Sequence, residues 1–313
     1  MTSISALAMT LLAKPFHLVA SAFYRIAYKL HHKLFLRPQP PIQVPVIIVG
    51  SYLVGGAGKT PFTIWLARCF KEQGKRTAVL CHSVAWDEFI MMQREFGNDS
   101  LHSAEPFQIK VFSTKNRYKT AKEIQDKFDI ILCDDGFEDT RFTGAHYICL
   151  DWHKPPTSWK SLLPSGPFRS LKQDHDERKV IHLDCLGANG NPPDIRFYIK
   201  SITNYIPGEP LSATIVCGLG TPYRFIEDIN AFTKTSENAS NIHIKKIIIR
   251  PDHDKHFTHI VQSELFCGND IIVSQKDACR LPQQLLCSPK IHIAIQETKI
   301  SDKILELLLN IPS

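Results

Sequence analysis

Two stretches in the first half of the chain carry residue types suited to phosphate chemistry. Val46 to Pro61 reads VIIVGSYLVGGAGKTP, an apolar β-branched run, a glycine-rich turn and a Lys-Thr pair, which is the strand, loop and helix start of a phosphate-binding loop. Gly55, Gly56, Ala57, Gly58, Lys59, Thr60 and Pro61 form the expected nucleotide-binding segment. The glycines let backbone N–H groups face an anion, Lys59 reaches towards β and γ phosphates, and the Thr60 hydroxyl is placed to ligate Mg²⁺. A nucleoside triphosphate is the predicted ligand. Leu53 stands where the standard pattern has its first glycine, so the loop is a variant. Further on, DIILCDD (Asp129 to Asp135) is an apolar strand ending in two carboxylates. Asp134 and Asp135 would hold Mg²⁺ directly or through water beside the phosphates. An isolated Asp-Asp-Gly turn has no such duty, and it is the pairing with the loop that favours the functional reading.

The elements that must position these residues follow from hydrophobic periodicity. Phe62 to Gln73 reads as the helix after the loop, and Thr77 to His82 as a second strand. Phe107 to Ser113 supplies another strand, Asn116 to Lys127 an amphipathic helix, and Tyr147 to Asp151 one more strand. The fold class predicted is α/β: a P-loop NTPase-type parallel sheet with helices on both faces, whose strand ends carry the ligand. From about Pro192, after the loop GANGNPP, the pattern restarts. Strands are expected at Arg196 to Ile202, Ala213 to Gly218, His243 to Ile249, Asp270 to Ser274 and Lys290 to Ala294. Helices are expected at Pro222 to Phe232, Lys276 to Leu286 and Ser301 to Leu309. Three segments result: a basic amphipathic helix over 1–37, a nucleotide-binding domain over 38–191, and a smaller α/β lobe over 192–313 that closes on a second substrate.

At 313 residues the chain can bury a sizeable core. Its nine cysteines show no CxxC pair, and Cys81, Cys133, Cys149 and Cys217 fall in apparent core strands, as expected for reduced thiols in a cytosolic setting. The net charge of +6 suits an anionic partner. No Asp or Glu occurs from Met1 to Lys71, while Lys14, Arg25, Lys29, Lys33 and Arg37 punctuate an apolar N-terminus. Leu7, Leu11, Phe16, Val19, Phe23, Ile26, Leu30 and Leu34 recur at helical spacing, and Arg25, Lys29 and Lys33 step along another face. Such a helix lies in a membrane interface or packs on the protein's own core with a solvated basic face. Lys14 and Pro15 cut the apolar run short of the roughly 20 residues that spanning needs. No aromatic-basic interleaving suggests nucleic acid.

The motifs VGSYLVGGAGKTP, DDGF, LLPSGPFR, CGLGTPYRF, RPDH and QKDA occur in the order found in tetraacyldisaccharide 4'-kinases, the lipid A 4'-kinases, and the chain resembles that family over nearly its whole length. The resemblance implies a kinase at the cytoplasmic face of the bacterial inner membrane, held peripherally by the N-terminal helix. It would move the γ-phosphate of ATP, with Mg²⁺, to the 4'-hydroxyl of an acylated disaccharide 1-phosphate. It also implies site residues. WDEF (Trp86 to Phe89) resembles the family's acidic pair after the second strand, so Asp87 is the expected base and Glu88 its helper or a Mg²⁺ contact. His253 in RPDH resembles the second-lobe histidine that orients the carboxylate or meets the transferring phosphate. Read without the family, Asp87 and Glu88 are helix N-terminal charges favoured by the dipole, and His253 is a lone loop histidine.

The chain departs from the family pattern in three places. CHSVAW (Cys81 to Trp86) replaces a Ser-Arg-Gly-Tyr-Gly stretch, removing an arginine expected to contact phosphate. Glu138 and Asp139 replace a glutamine and a histidine, adding negative charge unless Arg141 or Arg169 compensates. Gln275 stands in place of a glutamate. The alternatives to the kinase are a catalytically weakened, membrane-associated nucleotide-binding relative, and a P-loop ATPase serving protein or DNA partitioning.

Overall fold

The computed structural model describes residues 3–97, 109–187, 191–235 and 241–311, with side chains from residue 16 onwards. The chain opens with α1 (Ser3–Phe35) and then β1 (Val46–Gly50), whose five residues are all buried. Then come α2 (Lys59–Glu72), β2 (Thr77–His82), α3 (Trp86–Phe96), β3 (Ile109–Thr114), α4 (Arg117–Ile124), β4 (Ile130–Cys133), β5 (His146–Asp151) and β6 (Val180–Asp184). These six strands pair in the order β3-β2-β4-β1-β5-β6, all parallel. Val, Ile, Leu and Cys fill β1 and β4 because both faces of a central parallel strand are covered by helices. The register Ile48↔Cys133 sets the acidic pair one step beyond β4, beside the end of β1.

A second sheet is built from β7 (Ile195–Ile202), β8 (Leu211–Cys217), β9 (Ile242–Ile249), β10 (Asp270–Ser274) and β11 (Ile291–Ile300), in the order β7-β11-β10-β8-β9. It is mixed, since β7 runs antiparallel to β11. Its helices are α5 (Pro222–Thr235), α6 (Phe257–Phe266), α7 (Gln275–Ala278), α8 (Gln283–Leu286) and α9 (Asp302–Leu309). The apolar core does not stop between the sheets. Ile195 and Phe197 of β7 and Ile304 and Leu308 of α9 pack in one cluster with Ile47, Val49 and Leu132 of the first sheet.

Several boundaries differ from the sequence reading. The single helix expected over Lys276 to Leu286 is two short ones, because Pro282 has no N–H to continue the ladder and becomes the N-cap of α8. β6 and α6 were not signalled: VIHLD is short and half-polar, and FTHIVQSELF is rich in residues that also suit strands. The last strand runs six residues further than Ala294, carried by its pairing with β7. Phe107 and Gln108, at the start of the expected third strand, and Ala188 to Gly190 in the GANGNPP loop lie outside the described residues, as do the side chains of Leu7, Leu11 and Lys14.

α1 is docked by its polar face. Ser21 Oγ donates to the Leu162 carbonyl (3.0 Å), Tyr24 Oη donates to the Arg169 carbonyl (2.8 Å), Arg25 pairs with Asp174, and Tyr28 donates to Glu138. Arg25 therefore leaves the basic stripe expected of it and is largely buried, while Lys29 and Lys33 remain exposed. Phe16, Val19, Phe23, Ile26, Leu30 and Leu34 all point outwards, each at least half exposed.

Candidate active site

The phosphate loop joins Gly50 to α2, and its shape is set by contacts from four directions. Ser51 Oγ donates to the Leu150 carbonyl (2.9 Å), Trp152 Nε1 to the Ala57 carbonyl (2.9 Å), and Val54 N to the Pro167 carbonyl (3.0 Å). Leu53, in place of the missing glycine, forms a bridge with Phe168. From the second lobe, Thr221 Oγ1 donates to the Gly56 carbonyl (3.2 Å), and so does Arg224, which stacks 3.9 Å from the Trp152 ring centre. Gly56 and Gly58 have φ of 59° and 79°. A Cβ would stand 2.1 Å from Thr221 Oγ1 at the first and 2.6 Å from the Phe197 ring at the second, so only glycine fits.

Lys59 starts α2 and is 6% exposed, with Nζ 3.1 Å from Asp135 Oδ1. Arg169 Nη1 holds both Asp135 oxygens at 3.0 Å. Burial would raise the Asp135 carboxyl, but these two cations outweigh it and hold the group well below the usual carboxylate range. Asp134 has the opposite environment. Its oxygens accept from Thr60 Oγ1 (2.9 Å) and Thr63 Oγ1 (2.8 Å), and burial, with Glu88 and Asp135 nearby, pushes it up to about 7.

Thr60, Asp134 and Asp135 thus bring together hard oxygen donors and a buried carboxylate that, among the described residues, has no cation paired to it, which suits a small divalent ion. Because Asp134 must give up its proton to serve as a ligand, divalent-cation affinity is expected to rise between about pH 6 and pH 8, with proton release. Calorimetry in buffers of different ionisation enthalpy measures this, and a flat profile would remove Asp134 from the ligand set.

Across the cleft stands a second charged group. Asp87 lies in the first turn of α3 and has no exposed surface; Arg280 Nη2 donates to it at 2.9 Å, Lys276 Nζ lies 3.8 Å away, and His253 Nδ1 3.5 Å away. Arg280 also binds Asp252 (2.6 Å) and Asp277 (3.3 Å). His253 follows β9 with φ of 58°, a left-handed conformation costly for a non-glycine residue, and its ring is about half exposed to the cleft. Glu88 is held by Lys276 (3.2 Å), on the Asp87 side of the cleft.

These groups share a cavity of about 640 Å³ lined by Gly55 to Pro61, Glu88, Asp135, Arg169, His253 and Lys276 among others. Asp87 and Asp134 lie just beneath its surface, at 0% and 1% exposure. The two carboxylates read as departures do not face it. Asp139 is paired with Arg141 (2.6 Å), and Glu138 accepts from Tyr28 and from Ser170 (2.7 Å). Arg141 supplies the compensation expected of it at Asp139, and Arg169, hydrogen-bonded to Asp135, also acts through its charge on Glu138.

The sequence reading missed Arg117, Lys276 and Arg280. Arg117 is 7% exposed, lines the cavity, and donates from Nη2 to the Asp134 (2.7 Å) and Asp135 (3.2 Å) carbonyls. A basic residue in the first turn of α4 opposes the helix dipole. That conflict, just after a strand of a nucleotide-type sheet, was the available signal. Gln275 turns its Oε1 to the Gln296 N–H (2.8 Å).

A profile of the family described as tetraacyldisaccharide-1-P 4'-kinase matches residues 11–310. The tetraacyldisaccharide 4'-kinase of Shewanella woodyi is 26% identical over 273 residues, covering 80% of this chain and 75% of the relative. That of Chlamydia trachomatis is 27% identical over 290 residues, covering 80% and 76%. A crystal structure of LpxK from Aquifex aeolicus in complex with ATP superposes with a TM-score of 0.58 at 19% identity, covering 95% of this chain and 97% of that one, so the two share a fold. With the profile spanning almost the entire length, the chain belongs to the tetraacyldisaccharide-1-P 4'-kinase family.

Proposed function

We propose that this chain transfers the γ-phosphate of ATP to the 4'-hydroxyl of a tetraacyldisaccharide 1-phosphate while resting on the cytoplasmic face of the inner membrane. The observation that carries the reading is the placement of two charged groups in one cavity: Lys59 with Asp135 on one side, His253 with Asp87 on the other. Phosphoryl transfer asks a protein mainly to position and to neutralise charge. The loop N–H groups bind the phosphates, and Lys59 exchanges Asp135 for them as they enter. Thr60, Asp134 and Asp135 would hold Mg²⁺, which supplies charge neutralisation along the phosphate chain. His253, the exposed member of its pair, takes the proton of the acceptor hydroxyl in place of Asp87, the base expected from the resemblance, which has no surface open to a substrate. Asp87, without exposed surface, orients the imidazole and stabilises its charged form. Arg280 and Lys276 hold Asp87 in place.

The test is transfer of label from γ-labelled ATP to a tetraacyldisaccharide 1-phosphate in detergent micelles. ATP binding without transfer would overturn the kinase and leave a weakened nucleotide-binding relative.

The membrane assignment is supported by α1. Among the described residues no helix is long and apolar enough to cross a bilayer, yet α1 turns an apolar stripe outward with Lys29 and Lys33 beside it. This is the arrangement of a helix lying in the interface plane. Removing the helix would also strip Tyr24 from Arg169, so point substitutions are the cleaner probe. Burying Phe23 and Ile26 contributes about 1.5–3 kcal/mol each, and Phe23→Asp with Ile26→Asp is expected to lower partitioning onto anionic vesicles by roughly 100-fold or more. Unchanged sedimentation with vesicles would rule the helix out as the anchor.

A further inference from the structure

Outside the cleft, β5 and β6 bring three metal-ligating side chains to one place. Cys149 of β5 and His182 of β6 are register partners, so their side chains share a face of the sheet, and Asp151, two residues beyond Cys149, shares it too. One ligand atom from each lies within 4.8 Å of the others. His182 Nδ1 is 2.7 Å from Asp151 Oδ2, while Asp151 Oδ1 is buried and, among the described residues, has no hydrogen-bond partner of good geometry, the Cys149 thiol being a weak donor to this carboxylate. A buried carboxylate oxygen left with only a weak thiol donor is costly, and that thiol, Cys149, is itself fully buried. His182 is 39% exposed at its side chain, which leaves an approach from solvent.

We propose that Cys149, Asp151 and His182 form a site for a borderline-soft divalent cation of the zinc type, with water in the remaining position. One thiolate, one imidazole and one carboxylate suit Zn²⁺ or Co²⁺ in tetrahedral geometry, and the thiolate disfavours Mg²⁺. The two anionic ligands balance the charge of the ion, and coordination satisfies Asp151 Oδ1. On binding, the Cys149 proton leaves to solvent through the His182 side. No oxidant or reductant is involved.

The location gives the ion a structural task. β6 is the sheet's edge strand. Leu150 accepts from Ser51 at the start of the phosphate loop, and Trp152, next to Asp151, donates to Ala57 within it. An ion joining β5 to β6 would clamp the strand on which the loop leans.

The experiment is titration of the metal-free, reduced full-length chain with Co²⁺. One equivalent is expected to develop tetrahedral d–d bands and a thiolate-to-cobalt charge-transfer band, both lost on addition of Zn²⁺ and unaffected by excess Mg²⁺. Ions on the oxygen ligands of the phosphate site give no sulfur band, so the two sites are distinguishable. Cys149→Ser removes the charge-transfer band. His182→Ala, at a partly exposed position, keeps the thiol and the fold and weakens Co²⁺ binding at least tenfold. Absence of the band, its persistence in Cys149→Ser through the exposed Cys267 or Cys287, or unchanged affinity in His182→Ala would each overturn the site.

Discussion

Lys59→Ala is expected to lower phosphoryl transfer by about a thousandfold or more, the order seen when a preorganised cation or donor is removed from a developing charge. The reason is geometric. Lys59 is buried, and its ammonium lies 3.1 Å from Asp135 in a pocket that also holds Asp134. Without it, two carboxylates and the entering phosphates share a space that retains Arg169 and Arg117 as the nearby cations. Nucleotide affinity should fall as well, because the ammonium meets the phosphates in the ground state and in transfer. Lys59→Arg is not a rescue: the larger planar group must fit beneath a loop gripped by Thr221, Arg224 and Trp152. Steady-state transfer with equilibrium nucleotide binding checks both effects. Retention of activity within an order of magnitude would mean that the γ-phosphate is not held by this loop.

His253→Ala and Asp87→Asn are each expected to lower kcat by about 10²–10⁴-fold, the range for loss of positioned acid–base catalysis, with KM for ATP little changed. Because the two act as a unit, the double variant should be hardly worse than either alone. The substitutions separate in a second readout. His253 is half exposed, and its replacement should leave stability nearly intact. Asp87 is fully buried against Arg280 and Lys276, which keep Asp252, Asp277 and Glu88 as partners, so neutralising it weakens a buried charged hydrogen bond and costs about 1–3 kcal/mol. If Asp87 is only a structural counter-ion, Asp87→Asn will lower the melting temperature while folded molecules turn over normally. That outcome would return Asp87 to the role of a helix N-terminal charge.

Much of this site was legible in the sequence because its signals are local. A strand, a glycine turn and Lys-Thr specify the loop within sixteen residues, and β4 delivers its carboxylates one residue after an apolar run. Asp87 and His253 were legible through resemblance alone, since the contact between them joins residues 166 positions apart and depends on where β9 ends relative to α3. Arg280 left no trace: it follows a short helix, and its value comes from three carboxylates supplied by three different segments. The direction in which α1 faces was half legible. Periodicity separated the apolar stripe from the rest, but which side meets the protein was decided by Tyr24, Arg25 and Tyr28 finding partners on two connections, β4 to β5 and β5 to β6, more than a hundred residues away. Glu138 shows the same limit, because the charge that looked misplaced beside phosphates is turned aside by Tyr28 and Ser170.

The inside-out docking of α1 bears on how variation at its positions is judged. In water, exchanging Phe16, Phe23 or Leu30 for lysine removes apolar surface that is more than half exposed among the described residues, so a screen for soluble, heat-resistant protein would reward such changes. If α1 seats the chain on a membrane, as proposed, natural selection would discard them. At Ser21 and Tyr28 the two filters agree, since both side chains fasten the helix to the fold. The same thirty-odd residues therefore contain positions where laboratory fitness and organismal fitness point in opposite directions, interleaved with positions where they coincide.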